Sequence, residues 1–284
     1  MRVHELQLTY AFIVFDLDGA ETAVGVTRLA PKVLVDGAQL LARSTTYAFA
    51  TFGLRLGGAS AGINARADGR DEAVAASVSE VTPLVEEKRW VTTPGVGLTE
   101  PDLAPLGAKL ADPGLVAAGA LAAAEAVVGS LDGRRVEVRG AGPAVDAAIT
   151  ALGERGALLV DAGADGDQLD VVLVAGKSGV VDHEAVAGIR ARVVVPLTPV
   201  PITAKAFAAF GRAGAVVVPD FVSTAAPLLA AHDPAGGDPV TRVSETMAEL
   251  AGADTGAWMA AAHRAEAFLE TWQESLPFGR PLAF

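Results

Sequence analysis

The chain has no cysteine among its 284 residues. Disulfide staples, thiolate nucleophiles and cysteine-based metal sites are therefore excluded. Lysine is nearly as scarce, confined to Lys32, Lys88, Lys109, Lys177 and Lys205, so amine chemistry has few places to reside. The balance of charge is −12 with a pI near 4.8, which repels phosphate backbones and excludes nucleic acid and anionic membrane surfaces as partners. No uninterrupted apolar run reaches the roughly 18 residues that cross a bilayer, and MRVHELQLTYAFIVFDLDG lacks the basic start and apolar core of an export signal. A soluble cytoplasmic protein is the expectation. There is no HExxH, and His183, His232 and His263 lie far apart, so no metal site is expected.

Apolar residues, by contrast, make up 51% of the chain. An excess of that kind implies surface covered by another subunit, a homo-oligomer in the first instance or a catalytic protein partner in the second. The length suffices for two domains with separate cores.

The periodicity changes part-way along. LTYAFIVFDL and ETAVGVTRL alternate about Asp18-Gly19 and read as two short antiparallel strands. A helix over about 33–47, a glycine-broken strand FGLRLGGASAGINA, a helix over 71–86 and the strand RWVTTPGVG complete an α/β unit. Residues 114–128 are almost all Ala, Val, Leu and Gly, the composition of a buried helix. Beyond it, VEVRG, ALLVDA, DVVLVAG, RVVVP and AVVVPD alternate with helical stretches over 143–154, 183–189 and 203–211. Apolar strands joined by helices predict a parallel sheet covered on both faces. A helical tail over 239–274 follows. The predicted organisation is a first domain at 1–112, a bridging helix at 113–130, a second domain at 131–232 and helices at 233–284 that return to the first domain.

The strand at 135–139 runs straight into Gly140-Ala141-Gly142 and a helix. In that context a GxG turn brings backbone N–H groups to a pyrophosphate at the helix N-terminus. Val145 stands at the third glycine position, Pro143 suits the first helical turn, and Asp161 or Asp165 would take the ribose hydroxyls. Lys177 follows an apolar strand at the sheet edge where ligands of doubly wound folds bind, a candidate partner for phosphate or carboxylate. The alternative is a tight strand-to-helix turn that holds no dinucleotide.

TTYAFATFGLRLGG, TPGVGLTEPDL, VEVRGAG, GVVDHEAVAGIRARVVV and VVVPDFVSTAAP occur in this order from about residue 5 to residue 230. Together they resemble the glutamate, leucine, phenylalanine and valine dehydrogenases. The resemblance implies an N-terminal mixed-sheet substrate domain, a C-terminal Rossmann-like NAD(P)-binding-type domain and a cleft between them where an amino acid is oxidatively deaminated. It also implies where the chemistry should sit. The lysine that holds the substrate carboxylate corresponds to Ala48, the lysine that activates water and amine to Ser60, and the catalytic aspartate to Gly95. The paired asparagines near the nicotinamide correspond to Pro199-Val200, the asparagine of a later motif to Thr224, a nicotinamide-positioning threonine to Val116, and the ribose-binding aspartate to Gly163. The loop after Gly97 is shortened.

One placed acid or base contributes roughly 10² to 10⁴ in rate, so loss of three implies a homologue that no longer performs classical oxidative deamination: a pseudoenzyme or one with a changed reaction. The alternative is an NAD(P)-dependent oxidoreductase acting on an imine, a 2-oxo acid or an amino-acid-derived substrate, the hydride being carried by the cofactor. Arg43 and Arg55 flank the lost lysines, and an arginine fork replaces a lysine as carboxylate anchor. Arg55, alternating with Leu54 and Leu56, is expected on a strand face as the substrate-binding residue.

Overall fold

The computed structural model describes residues 1–161, 168–276 and 279–283. They form two compact units, 1–111 with 266–281, and 112–265 with 282–284. In the first unit, β1 (Arg2–Glu5), β2 (Ala11–Phe15), β3 (Ala23–Ala30), β4 (Gly57–Asn64) and β5 (Trp90–Pro94) make a mixed sheet of order β1-β2-β4-β3-β5. Helices α1 (Val35–Thr51) and α2 (Arg70–Glu86) and the short α3 (Glu100–Leu103) accompany it.

The alternation in β2 decides which side chain goes where, because successive residues of a strand point to opposite faces. Ile13 and Phe15 join Ala59, Ala61, Ile63, Val74, Val81 and Trp90 in one apolar cluster, while Phe12 and Val14 join Val33, Ala38 and Ala42 in another. Helix α1 lies almost against β4. A Cβ on Gly58 would stand 1.8 Å from the Ala42 carbonyl oxygen, so the glycine at this position is what lets the helix approach.

The expected antiparallel pairing of the two strands about Asp18-Gly19 does not form. β2 pairs antiparallel with β4, and β3 pairs parallel with β4 and with β5. Chain 16–22 is too long for a two-residue hairpin, and β4, returning by way of α1, enters between the two. The predicted helix at 33–47 starts and ends later, at Val35 and Thr51.

In the second unit, α4 (Pro113–Val128) leads into β6 (Arg135–Arg139), α5 (Pro143–Glu154), β7 (Leu158–Val160), β8 (Leu169–Val174), β9 (Ala191–Pro196), α6 (Ala204–Arg212) and β10 (Val216–Val217). Then come α7 (Asp220–Ser223), α8 (Ala226–His232), α9 (Pro239–Ala251) and α10 (Ala257–Leu269), the last running on into the first unit. The sheet is parallel, of order β10-β9-β8-β6-β7. The helix expected at 183–189 is a single 3-10 turn at Ala185–Gly188, opened by the Asp182 carboxylate, which accepts from the N–H groups of Glu184 and Ala185. The helical tail is built of two helices, separated between Ala251 and Ala257, where Gly256 has φ +80°, and the second ends at Leu269, short of the expected 274. No described helix is long and apolar enough to cross a membrane.

Candidate functional site

In the first unit, the positions of interest gather on the α1 side of the sheet. Parallel register sets Val26 beside Ser60 and Arg28 beside Gly62, so Ser60 and Arg28 share that face. Ser60 is fully buried, and among the described residues its hydroxyl reaches only the Val26 carbonyl, at 3.5 Å. Ala48 is 2% exposed. A Cβ on Gly95 would meet Val26 Cγ2 at 2.5 Å and Arg28 Cγ and the Thr27 carbonyl oxygen at 3.0 Å.

The two flanking arginines have other fates. Arg43 Nε donates to Asp16 Oδ1 at 2.7 Å with both side chains almost wholly buried, and Arg43 also donates to the Gly279 carbonyl. Burial pushes the Asp16 carboxyl up and the Arg43 charge pulls it back, the first effect being the larger. Arg43 is therefore committed within the fold and is not a free anchor. Arg55 precedes β4 rather than lying on a strand, because extended pairing starts only at Gly57, and it is exposed. Near Arg43, Tyr47 donates to Glu266 at 3.0 Å, and Arg280 grips both oxygens of that carboxylate. Burial, then the Glu266 charge, pushes the Tyr47 phenol well above its ordinary value.

In the second unit the chain goes from β6 by α5 to β7 at the sheet edge, then crosses back to β8 on the far side of β6. Such a reversal opens a crevice at the carboxyl ends of the two central strands, the usual ligand site of open α/β sheets. Gly140 (φ +124°) and Gly142 (φ +120°) follow β6 there. A Cβ on Gly140 would stand 2.4 Å from the Ala175 carbonyl oxygen beyond β8, whereas one on Gly142 would meet nothing within 4 Å. Asp161 follows β7 and Lys177 follows β8; both are exposed. The Thr198 hydroxyl bonds both the N–H and the carbonyl of Gly176, fixing the loop that carries Lys177. Val145 is buried on α5, and Gly163 and Asp165 lie outside the described residues.

One residue of this crevice is strained. Val200, beyond β9, is β-branched, 1% exposed and at φ +53°, a conformation that asparagine adopts far more readily. Its N–H donates to the buried carboxylate of Asp220 at 2.9 Å. Thr224 closes α7 through a hydrogen bond to the Asp220 carbonyl, and Val116 is half-buried on α4. His183 and His263 are exposed, and burial lowers the pKa of His232. Among the described residues no group of three or more His, Asp and Glu side chains is arranged to hold a metal.

No protein-family model matches the chain, and no curated protein matches it in sequence. Solved structures do match. A hetero-hexameric glutamate dehydrogenase from Thermus thermophilus, in a leucine-bound form, gives a TM-score of 0.74 at 21% identity over 92% of this chain and 83% of that one. L-tryptophan dehydrogenase from Nostoc punctiforme gives 0.72 at 20% identity over 97% of each chain. Glutamate dehydrogenase from Peptoniphilus asaccharolyticus gives 0.67 at 12% identity over 92% and 86%.

The chain has the fold of the amino-acid dehydrogenases. On this amino-acid dehydrogenase fold, Gly140, Gly142, Asp161 and Lys177 all follow strands at one edge of the second sheet, whereas Arg55 stands apart from the face that carries Ser60. Sequence reasoning missed Arg28. The signal was present in β3, where AVGVTRLA sets Val24, Val26 and Arg28 on the same face, a cation at an inward position of an apolar strand.

Proposed function

We propose that this chain is a divergent homologue of the amino-acid dehydrogenases that has given up classical oxidative deamination, as a pseudoenzyme or with a changed reaction. The observation that carries this reading is the packing at the three expected catalytic positions. Ala48 and Ser60 are sealed in, at 2% and 0% exposure, and Gly95 is so hemmed in by Val26 and Thr27 that a carboxylate does not fit without displacing them. A proton acceptor contributes only where it reaches the substrate, and none of these positions offers one. The unmodified protein is therefore expected not to oxidise leucine, valine, phenylalanine or glutamate. Turnover at rates of about 1 to 10³ s⁻¹, ordinary for an enzyme, would sink the reading.

The turn after β6 favours the changed reaction over the pseudoenzyme. Both glycines keep φ values closed to other residues, and the space at Gly142 is the room that backbone needs to approach a pyrophosphate. An NAD(P) cofactor would lie with its phosphates at Gly142 and the first turn of α5, a ribose at Asp161 and a phosphate near Lys177. The bound cofactor would supply the hydride for reduction of an imine, a 2-oxo acid or an amino-acid-derived substrate. The chain's own part is then to hold the substrate and exclude water, which demands less proton transfer than amine oxidation. A thermal-shift titration with NAD, NADH, NADP and NADPH tests this: at 100 times its dissociation constant a ligand adds about 2.7 kcal/mol of stability. A protein of this size should gain roughly 5 to 10 °C. If none of the four raises Tm, the oxidoreductase reading fails and the pseudoenzyme reading stands.

A cytoplasmic homo-oligomer belongs to the same proposal. β1 is an edge strand whose four residues, Arg-Val-His-Glu, are all exposed, and such an edge is a template for another strand. Paired antiparallel with its own copy, β1 sets Arg2 against Glu5 and Val3 against His4, opposite charges at both ends. Arg2→Glu or Glu5→Arg alone should weaken self-association by at least about 10-fold, since each creates two like-charge pairs. The double variant should restore it. Sedimentation analysis reads the outcome, and equal association by all four proteins would exclude β1 as the contact.

A further inference from the structure

The pairing of β8 with β9 does not stop where the sheet ends. The Leu197 N–H still donates to the Val174 carbonyl, at 2.8 Å. Beyond it the Thr198 hydroxyl takes both backbone groups of Gly176, and the N–H groups of Gly179, Val181 and Thr203 donate to the carbonyls of Val200, Pro201 and Val181, all at 2.9 to 3.1 Å. The bridge between Val181 and Ile202 is parallel, like the strands it prolongs. Segments 176–181 and 198–203 are thus one hydrogen-bonded lip at the carboxyl ends of β8 and β9, and Lys177 rides on it.

Val200 is where this lip is tied to α7. Its carbonyl accepts from Gly179 within the lip, and its N–H is taken by Oδ2 of Asp220 at 2.9 Å. A β-branched residue at φ +53° is held against its own preference, and such strain persists only where the surroundings over-determine it. Here those surroundings are a bond on each side of the residue and a site that leaves it 1% exposed. The carboxylate is itself well placed to impose a conformation. Asp220 is 3% exposed, its carbonyl accepts from the Thr224 hydroxyl, and Ser223 of the same short helix donates to the Pro196 carbonyl at the end of β9. Hydrogen bonds to an ionised acceptor are also roughly twice as strong as neutral ones.

We propose that Asp220 is the positioning residue of the lip: its carboxylate keeps Val200 left-handed, and through the Gly179 bond that conformation sets where the loop bearing Lys177 stands. Without the carboxylate, a buried N–H loses its partner and the strained valine loses its restraint. The backbone then relaxes toward negative φ, the Val200 carbonyl turns from Gly179, and the Lys177 loop comes free of its neighbour. What the lip faces rests on reading the second unit as the nucleotide-binding half; the coupling of Asp220 to the lip does not.

Amide hydrogen exchange followed by NMR tests the coupling without any ligand. In Asp220→Ala the amides of Gly179, Val181 and Thr203 should exchange at least about 10-fold faster than in wild type, while Val172 and Val194 in the body of the sheet stay within about 3-fold. Asp220→Asn, which keeps an acceptor for the same N–H, should resemble wild type. Val200→Gly added to Asp220→Ala should restore protection, because glycine holds a positive φ at no steric cost. Val200→Ala added instead should not, since it shortens the side chain and keeps the strain. If Asp220→Ala alone fails to fold, the two double variants decide: the glycine form should fold with Gly179 protected and the alanine form should not. Unchanged exchange at Gly179 in Asp220→Ala, equal acceleration at Gly179 and Val172, or the same behaviour in both double variants would each overturn the assignment. Thermal-shift titrations with NAD(H) and NADP(H) keep the two readings apart. No shift in wild type, with exchange as expected, defeats the oxidoreductase reading alone; a shift as large in folded Asp220→Ala as in wild type defeats this one.

Discussion

Arg43→Met is expected to destabilise the protein by about 3 to 5 kcal/mol, because it removes one partner of a buried ion pair and strands the other. Asp16 and Arg43 are 0% and 5% exposed at their side chains, and Nε to Oδ1 is 2.7 Å. The Asp16 carboxyl already sits above its ordinary value through burial, with Arg43 opposing that effect. Without Arg43 the opposition vanishes and the carboxyl rises further. The sign of the pH dependence follows: a carboxyl with a raised folded-state pKa binds its proton more tightly in the native than in the unfolded chain. The native state is then favoured at low pH, and stability falls as pH increases from about 4 toward the raised value. The deficit of Arg43→Met should therefore be smaller at pH 4 than at pH 7, as chemical denaturation at the two values would show. Asp16→Asn in the Arg43→Met background should recover part of the loss by removing the stranded charge. A deficit independent of pH and not relieved by Asp16→Asn would mean that packing, not charge, is what Arg43 contributes.

That pair also shows where sequence reasoning stops. The second unit was legible because a parallel sheet buried on both sides leaves near-continuous apolar runs such as DVVLVAG and RVVVP, and β8 and β9 are buried at almost every position. The helix Pro143–Glu154 was legible from its glycine turn and its proline at the first position. The order of strands in the first sheet was not legible, since alternation in LTYAFIVFDL tells which face is inside and says nothing about which strand lies alongside. Two residues far apart in sequence, such as Asp16 and Arg43, meet only once α1 is laid on β4. Arg43 could thus be read as a spare cation at the level of the sequence, whereas Arg28, whose Nε and Nη2 find no acceptor among the described residues, was hidden in a strand otherwise read only for its apolar pattern.

The packing around the substituted positions adds something that substitution alone does not. Ser60 opposite Val26, and Gly95 against Val26 and Arg28, form one continuous patch. Small side chains there have neighbours fitted to them. Val200 tells a similar story in the second unit: its backbone keeps a left-handed conformation that suits asparagine, while its side chain is apolar and buried. In both places apolar or small side chains are closely packed on a backbone of the amino-acid dehydrogenase fold, which is what the proposed loss of oxidative deamination requires.

Gly140→Ala and Gly142→Ala, compared side by side, are expected to separate what the glycine turn does for the fold from what it does for a ligand. Both glycines sit at positive φ, where a β-carbon costs of order 1 to 3 kcal/mol in strain alone. At Gly140 the new methyl would also drive into the Ala175 carbonyl, at 2.4 Å, adding roughly 1 to 3 kcal/mol of overpacking and pressing apart the ends of β6 and β8. Gly140→Ala should therefore lower Tm by about 5 to 15 °C and lose dinucleotide binding along with the local geometry. At Gly142 the methyl would enter open space, so the loss of stability is limited to strain, roughly 1 to 3 kcal/mol. It would occupy the room through which a pyrophosphate approaches, and the thermal shift with NAD(H) or NADP(H) should shrink to nothing even though the protein remains folded. A Gly142→Ala protein that is still stabilised by a dinucleotide as strongly as wild type would show that the turn is a structural element only, and that any nucleotide binds elsewhere.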